Sequence, residues 1–234
     1  MPLVDEDQSL WVTAALNSYS WADSYYALNI YGITGLYPNA APWSQNTNIM
    51  VTGKGFMNDM SDSGRCRFGA EGSFVIVDAM VLDNEHMVCA LPVGLVTFPD
   101  NAKTSGIVIP FAIAFQEEIY YPYTEGTWNF RLYKQPYLMA ASPPTVSAGK
   151  INKVFVKADP NKPFFQPPPP PGDDYNNENW IRCKFGYLGS NPAVYINHTH
   201  LLCITPVIHD PADISSDGLD VEITVAMNGV DYTP

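Results

Sequence analysis

Basic residues are scarce in this chain. Twelve Lys and Arg are scattered over 234 residues against twenty-four Asp and Glu, for a net charge of −12. Binding to nucleic-acid phosphates requires a clustered basic surface, and no basic loop is present, so nucleic acid is excluded as a partner. Long apolar runs are also missing. None approaches the roughly eighteen residues of a membrane-spanning helix, and no membrane span is expected. No stretch sustains the i, i+3, i+4 spacing of an amphipathic helix, so helix is at most a minor component. The first residues, Met1–Asp7, are acidic and lack the apolar segment of a secretory leader. Either a leader has been removed or the chain is a piece of something longer.

Groups that could do chemistry are equally few. There are four histidines, His86, His198, His200 and His209. His198 and His200, two apart on a strand, would project to one face as a metal pair, but no third ligand stands near them and a surface strand accounts for them as well. Glu117-Glu118 and Asp173-Asp174 fall among turn residues and read as solvated carboxylates. Asp59-Met60-Ser61-Asp62-Ser63-Gly64 resembles the opening of a calcium loop, yet Ala70 stands where the closing bidentate Glu belongs, which leaves a polar turn. No G-x-S-x-G, H-E-x-x-H or Walker-type loop occurs. The expectation is a chain that is not an enzyme and carries no metal or cofactor.

What the chain does have is a pattern used twice. Arg65-Cys66-Arg67-Phe68-Gly69 leads to Val88-Cys89-Ala90-Leu91-Pro92, and Arg182-Cys183-Lys184-Phe185-Gly186 leads to Leu202-Cys203-Ile204-Thr205-Pro206. All four cysteines are consumed by this repeat, which implies two copies of one domain, each with its own pair. Fourteen Tyr, eleven Phe and five Trp favour strands, and twenty-one Pro and sixteen Gly punctuate them. Short apolar runs with turn residues every 8–12 positions suit a β-sandwich.

Further elements can be read outward from the cysteines. In the first copy Ile33 to Pro38 precedes Asn48-Ile49-Met50-Val51-Thr52-Gly53-Lys54-Gly55-Phe56, and Ile107 to Phe115 follows. In the second, Tyr137 to Pro144 precedes Ile151 to Lys157, and Leu219 to Met227 follows before Asn228-Gly229. This order resembles the IPT/TIG family of immunoglobulin-like domains: apolar-x-Pro, V-T-G-x-G-F, C-x-F-G, x-C-x-x-P, then V-x-V-A-x-N-G. The first copy departs only at the last element, where Ile113-Ala114-Phe115-Gln116-Glu117 replaces the Asn-Gly ending. The second departs at V-T-G-x-G-F, where Val156-Lys157-Ala158-Asp159-Pro160 stands. The resemblance covers roughly residues 30–234. It implies an all-β chain of two tandem seven-strand β-sandwiches and, by itself, no chemistry. The domains expected are an N-terminal strand extension over 1–31, a first sandwich over 32–135 and a second over 136–234.

The cysteines bear on compartment. Outside the cell the pairs Cys66–Cys89 and Cys183–Cys203 would be disulfides, each closing a loop of about twenty residues and contributing on the order of 3 kcal/mol. Inside it they would be buried free thiols. Zinc fits poorly, because the partners lie on separate strands and no C-x-x-C is present. Asn197-His198-Thr199 is an N-glycosylation sequon placed between strands. Pro163-Phe164-Phe165-Gln166 and five prolines, Pro167, Pro168, Pro169, Pro170 and Pro171, interrupt the second copy. The prolines should form an exposed extended segment: a stiff spacer, a site of hydroxylation and glycosylation, or a docking motif.

The ends of the copies do not match. The first closes with Thr127 to Tyr133, whereas the second reaches Ala226-Met227-Asn228-Gly229 and runs out at Pro234 without a closing strand. In front of the first copy, Trp11 to Leu16 and Tyr25 to Tyr31 read like a surplus domain ending. An open edge invites a strand from elsewhere. The leading expectation is therefore an extracellular or cell-surface structural protomer assembling head-to-tail with itself, with Tyr26, Leu28 and Ile30 filling the edge beside Val221–Met227 of the next subunit. The alternative is an adhesion or ligand-binding ectodomain fragment of a longer array. A carbohydrate-binding module, using Trp43, Tyr120, Tyr121 and Tyr123, is the third class.

Overall fold

A computed structural model of the chain describes residues 10–12, 26–28, 31–56, 64–70, 72–99, 102–115, 128–166, 180–207 and 218–234. Strands dominate them, and helical structure is confined to short 3₁₀ pieces such as Gly186–Leu188. The all-β expectation holds because apolar residues alternate along the chain with period two. In β5 (Asn48–Lys54) Ile49 and Val51 are buried while their neighbours are not. Two strands precede the repeats, β1 (Leu10–Val12) and β2 (Tyr26–Leu28), paired antiparallel with Trp11 opposite Ala27.

The described chain divides into two compact units. The first comprises residues 1–37, 48–91 and 110–128, the second 38–47, 92–109 and 129–234. This differs from the division at about residue 135 expected from the repeat.

In the first unit β3 (Gly32–Tyr37), β5, β6 (Arg65–Ala70), β7 (Ser73–Val81), β8 (His86–Ala90) and, from residue 110 on, β9 (Ile107–Ala114) run in the order β3-β5-β8-β7-β6-β9. Each neighbouring pair is antiparallel. β7 joins two layers. Its residues 73–78 pair with β6, and residues 79–81 pair with β8. Between the layers Phe68, Phe111, Ile113, Met87 and Phe56 are fully or almost fully buried. The V-T-G-x-G-F segment has a steric cause: a Cβ on Gly53 would lie 2.2 Å from the Gly32 carbonyl oxygen and 2.3 Å from the Phe56 ring. Only glycine lets Phe56 fold back into the core, where it packs against Phe115 with ring centroids 5.5 Å apart.

In the second unit β11 (Leu138–Ser142), β12 (Lys153–Ala158), β13 (Arg182–Phe185), β14 (Ser190–Asn197), β15 (His200–Ile204) and β16 (Ile223–Ala226) run in the order β11-β12-β15-β14-β13-β16. This unit also holds β4 (Ala40–Pro42) in parallel register with residues 131–133 of β10 (Trp128–Tyr133). Ala40 and Tyr133 belong to one apolar cluster with Val156, Phe185, Leu201 and Val225. Two anchors fasten them there. Tyr133 stacks on Phe165, centroids 4.9 Å apart and planes 3° from parallel, and Asn228 Nδ2 donates to the Ala40 carbonyl at 3.0 Å. Phe164 and Phe165, read from the sequence as the start of a surface insertion, are fully buried. Pro167–Pro171 lie outside the described residues.

Two expectations about assembly concern segments whose contacts within the chain are visible. The edge beside Val221–Met227 was expected to lie open, but the C-terminal residues close part of it: Tyr232 bridges Ala226, and Thr233 N donates to the Val225 carbonyl at 2.9 Å. The strand holding Tyr26 and Leu28 was expected to serve another subunit, but it pairs with β1 of its own chain. Ile30 lies outside the described residues.

Candidate functional site

The two disulfides organise each copy in the same way. Cys66 of β6 is bonded to Cys89 of β8, and Cys183 of β13 to Cys203 of β15, with Cα–Cα distances of 6.1 and 5.8 Å. All four cysteines are fully buried, and none is free. Each bond spans the layers at the point where the intervening strand changes partners. In the first copy Val77 faces Cys66 and Ala79 faces Cys89; in the second Asn191 faces Cys183 and Ala193 faces Cys203. The spacing of two is the same in both. Both copies place a buried alanine opposite the second cysteine. The sequence reading missed these alanines, although Ala79 and Ala193 lie ten residues before their cysteines in both copies.

The Asn-Gly ending of the second copy builds a buried polar node. Asn228 Oδ1 accepts from the backbone N–H of Val230 and Asp231 at 3.1 and 2.8 Å, and Gly229 takes a φ of +78° to complete the turn. Asp231 Oδ2 in turn accepts from Asn228 Nδ2 and from the Thr47 hydroxyl, both at 2.7 Å. The Tyr133 hydroxyl belongs to the same unit but finds no hydrogen-bond partner among the described residues. Burial, and secondarily the negative charge of Asp231, pushes its pKa well above that of an ordinary tyrosine. The node holds structure. It offers no reactive group to a substrate.

The histidines are dispersed. His86 Nδ1 lies 2.8 Å from the Asp83 carboxylate on the surface. Asp83 is held below the ordinary carboxylate range, first by the Glu85 N–H and then by His86. His198 Nδ1 pairs with the Tyr195 hydroxyl at 2.7 Å, whereas His200 Nδ1 faces the Thr199 hydroxyl at 2.9 Å. No group of three or more His, Cys, Asp or Glu among the described residues is placed to hold a metal ion. Glu117-Glu118, Asp173-Asp174, Asp59–Ser63, His209, Tyr120, Tyr121 and Tyr123 lie outside the described residues. Trp43 is half-buried beside Phe98, with ring centroids 6.2 Å apart.

Surfaces, rather than reactive clusters, are what the described residues offer. Phe74, Val75, Ile76 and Met80 of β7 are exposed although apolar, with the Arg67 guanidinium over the Phe74 ring. At the β14–β15 hairpin Asn197 is exposed, and its Oδ1 accepts from both the N–H and the hydroxyl of Thr199 at 2.9 Å. A groove of about 780 Å³ opens in the second unit between residues 143–148 and 218–223.

Residues 32–109 match the model of the IPT/TIG domain. They form an IPT/TIG domain. The module is immunoglobulin-like, with two layers joined by an inter-layer disulfide, and such domains are non-enzymatic. The second copy repeats its strand order and disulfide outside the matched residues. No curated protein matches the chain. Among solved structures it is similar to the plexin A4 full extracellular region, domains 1 to 10, with 17% identity over 98% of this chain and a TM-score of 0.39. It is also similar to a second structure of that region, domains 1 to 8, with 16% identity over 88% and a TM-score of 0.33. The chain spans 17% and 24% of the length of those two structures.

Proposed function

We propose that this chain is a segment of an extracellular IPT/TIG ectodomain that works by binding and spacing, without catalysis. The observation that carries this reading is the pair of buried inter-layer disulfides, one per copy, in a chain whose first copy is an IPT/TIG domain. Structural disulfides persist in oxidising compartments. The exposed apolar residues of β7 supply a surface of the kind that partners bury. The sequon at Asn197 fits the same compartment. Expressed through a secretory pathway, the chain should carry a glycan there, lost in Asn197→Gln, as a mass shift on treatment with an N-glycosidase; an unmodified Asn197 would count against export.

The head-to-tail fibre has less in its favour than the ectodomain, because β2 is already paired in its own chain. Sedimentation of the oxidised chain separates the two. The ectodomain reading expects a discrete low-order species, and long regular polymers would restore the fibre.

A further inference from the structure

β7 carries an edge that the described part of the first unit leaves uncovered. Its residues 73–78 pair with β6 on one side, and only residues 79–81 meet β8 on the other. Past the end of β8, no described strand lies beside that edge. Phe74, Val75 and Ile76 are 41%, 39% and 41% exposed, although successive side chains point to opposite faces. A run open on both faces at once is a border of the sheet. It has no proline and, from Ser73 to Val77, none of the charges that blunt natural edges.

The backbone divides between the two sides. Ala79 N–H donates to the Gly64 carbonyl at 2.8 Å, on the β6 side, and Leu82 N–H to the His86 carbonyl at 2.9 Å, on the β8 side. Alternate residues of an antiparallel ladder address the same neighbour. Val77, Val75 and Ser73 therefore direct their polar groups to β6. Met80 addresses β8, and Ile76 and Phe74 address that same side beyond its reach. Both hold their N–H and C=O outward.

We propose that this edge pairs antiparallel with the same edge of a second copy, about a two-fold axis at Val75. Phe74 then faces Ile76 of the partner subunit, and the two exchange backbone hydrogen bonds on either side of the axis. Charge selects a second copy as the occupant. The Arg67 guanidinium lies 5.4 Å from the Phe74 ring centroid, at one end of the run. Asp78 stands at the other end, its side chain 98% exposed and 3.9 Å from Arg65. Antiparallel pairing brings the acidic end of each copy to the basic end of the other. β6 adds Arg65 and Arg67 and no acid, so copies of a chain of net charge −12 meet here without opposed acidic patches. Each edge is consumed by its mate, and assembly closes at two.

This pairing names a partner for the β7 surface of the ectodomain reading and rests on that reading. The test is sedimentation of the full oxidised chain from about 1 μM to about 1 mM, which should show a monomer–dimer equilibrium and nothing larger. Hydrogen exchange at the two extremes should show Phe74 and Ile76 amides slowed in the dimer, with Val75 and Val77 unchanged. Ile76→Lys, at an exposed position, puts a cation beside the partner subunit's Arg67 and should weaken the dimer at least about tenfold. The exchange pattern is read on the unmodified chain and stands even if that variant misfolds. A monomer throughout, growth past the dimer, or slowed amides elsewhere would overturn the proposal. So would Phe74 and Ile76 already protected in the monomer, because the edge would then be covered in cis. A monomer that still carries a glycan at Asn197 would remove the pairing and leave the ectodomain reading standing.

Discussion

At the scale of single residues, Asn228 does the most with one side chain. It closes its own turn, holds the Asp231 carboxylate and reaches the Ala40 carbonyl, all with its surface 1% exposed. Asn228→Ala would leave buried donors and an acceptor without partners, at a cost of about 1–3 kcal/mol. Urea unfolding should show the loss, while Asn228→Asp, which keeps the acceptor oxygen for the turn but loses the donor, should still lose the link to Ala40. Tyr133 makes the opposite case. Its hydroxyl is buried without a partner among the described residues, and its pKa is raised by burial first and by Asp231 second. A raised folded-state pKa means that the neutral form is the folded one. The associated stability is therefore intact below about pH 10, the unfolded value, and falls as pH rises above it. Tyr133→Phe should leave neutral-pH stability equal or higher and flatten the alkaline fall in a pH series of urea midpoints. An unchanged alkaline slope would remove Tyr133 from the account.

At the scale of elements, the device repeated in both copies is a strand that changes layers beside a disulfide. β7 changes partner between Asp78 and Ala79, and β14 between Pro192 and Ala193. A larger side chain opposite the second cysteine would press on the bond and its neighbours. Ala193→Leu should destabilise by about 1–3 kcal/mol, read as a lower denaturant midpoint, and Ala79→Leu should do likewise. No penalty at either position would mean that the crossing is looser than described. Much of this level was legible beforehand. The cysteine phrases announced two copies, and the order of the motifs around them announced the sandwich class. The alanines were not legible, because a small residue has no pattern until the strand facing it is known. Nor was the burial of Phe164 and Phe165, since their contacts with residues such as Tyr133 are distant in sequence and the prolines beside them suggested a surface loop. The same distance hid the recruitment of β4 and part of β10 into the second unit's core, where Asn228 meets Ala40 across 188 positions.

At the scale of the molecule, the account is of two immunoglobulin-like copies, each stapled between its layers by its own bond. A disulfide limits the unfolded ensemble, so replacing the Cys183–Cys203 pair with alanines should cost about 2–5 kcal/mol in the second unit. The sequence could state the repeat and the all-β class. It could not state how the end of the second copy is closed, since the Ala226–Tyr232 bridge and the Val225–Thr233 bonds depend on a turn that Asn228 and Asp231 stabilise. The most direct test is non-reducing peptide mapping of the full chain secreted into an oxidising medium. Two linked peptides, Cys66 with Cys89 and Cys183 with Cys203, are predicted, with no free thiol. A Cys89–Cys183 link, or four free thiols in the exported protein, would contradict the description of two separately stapled copies.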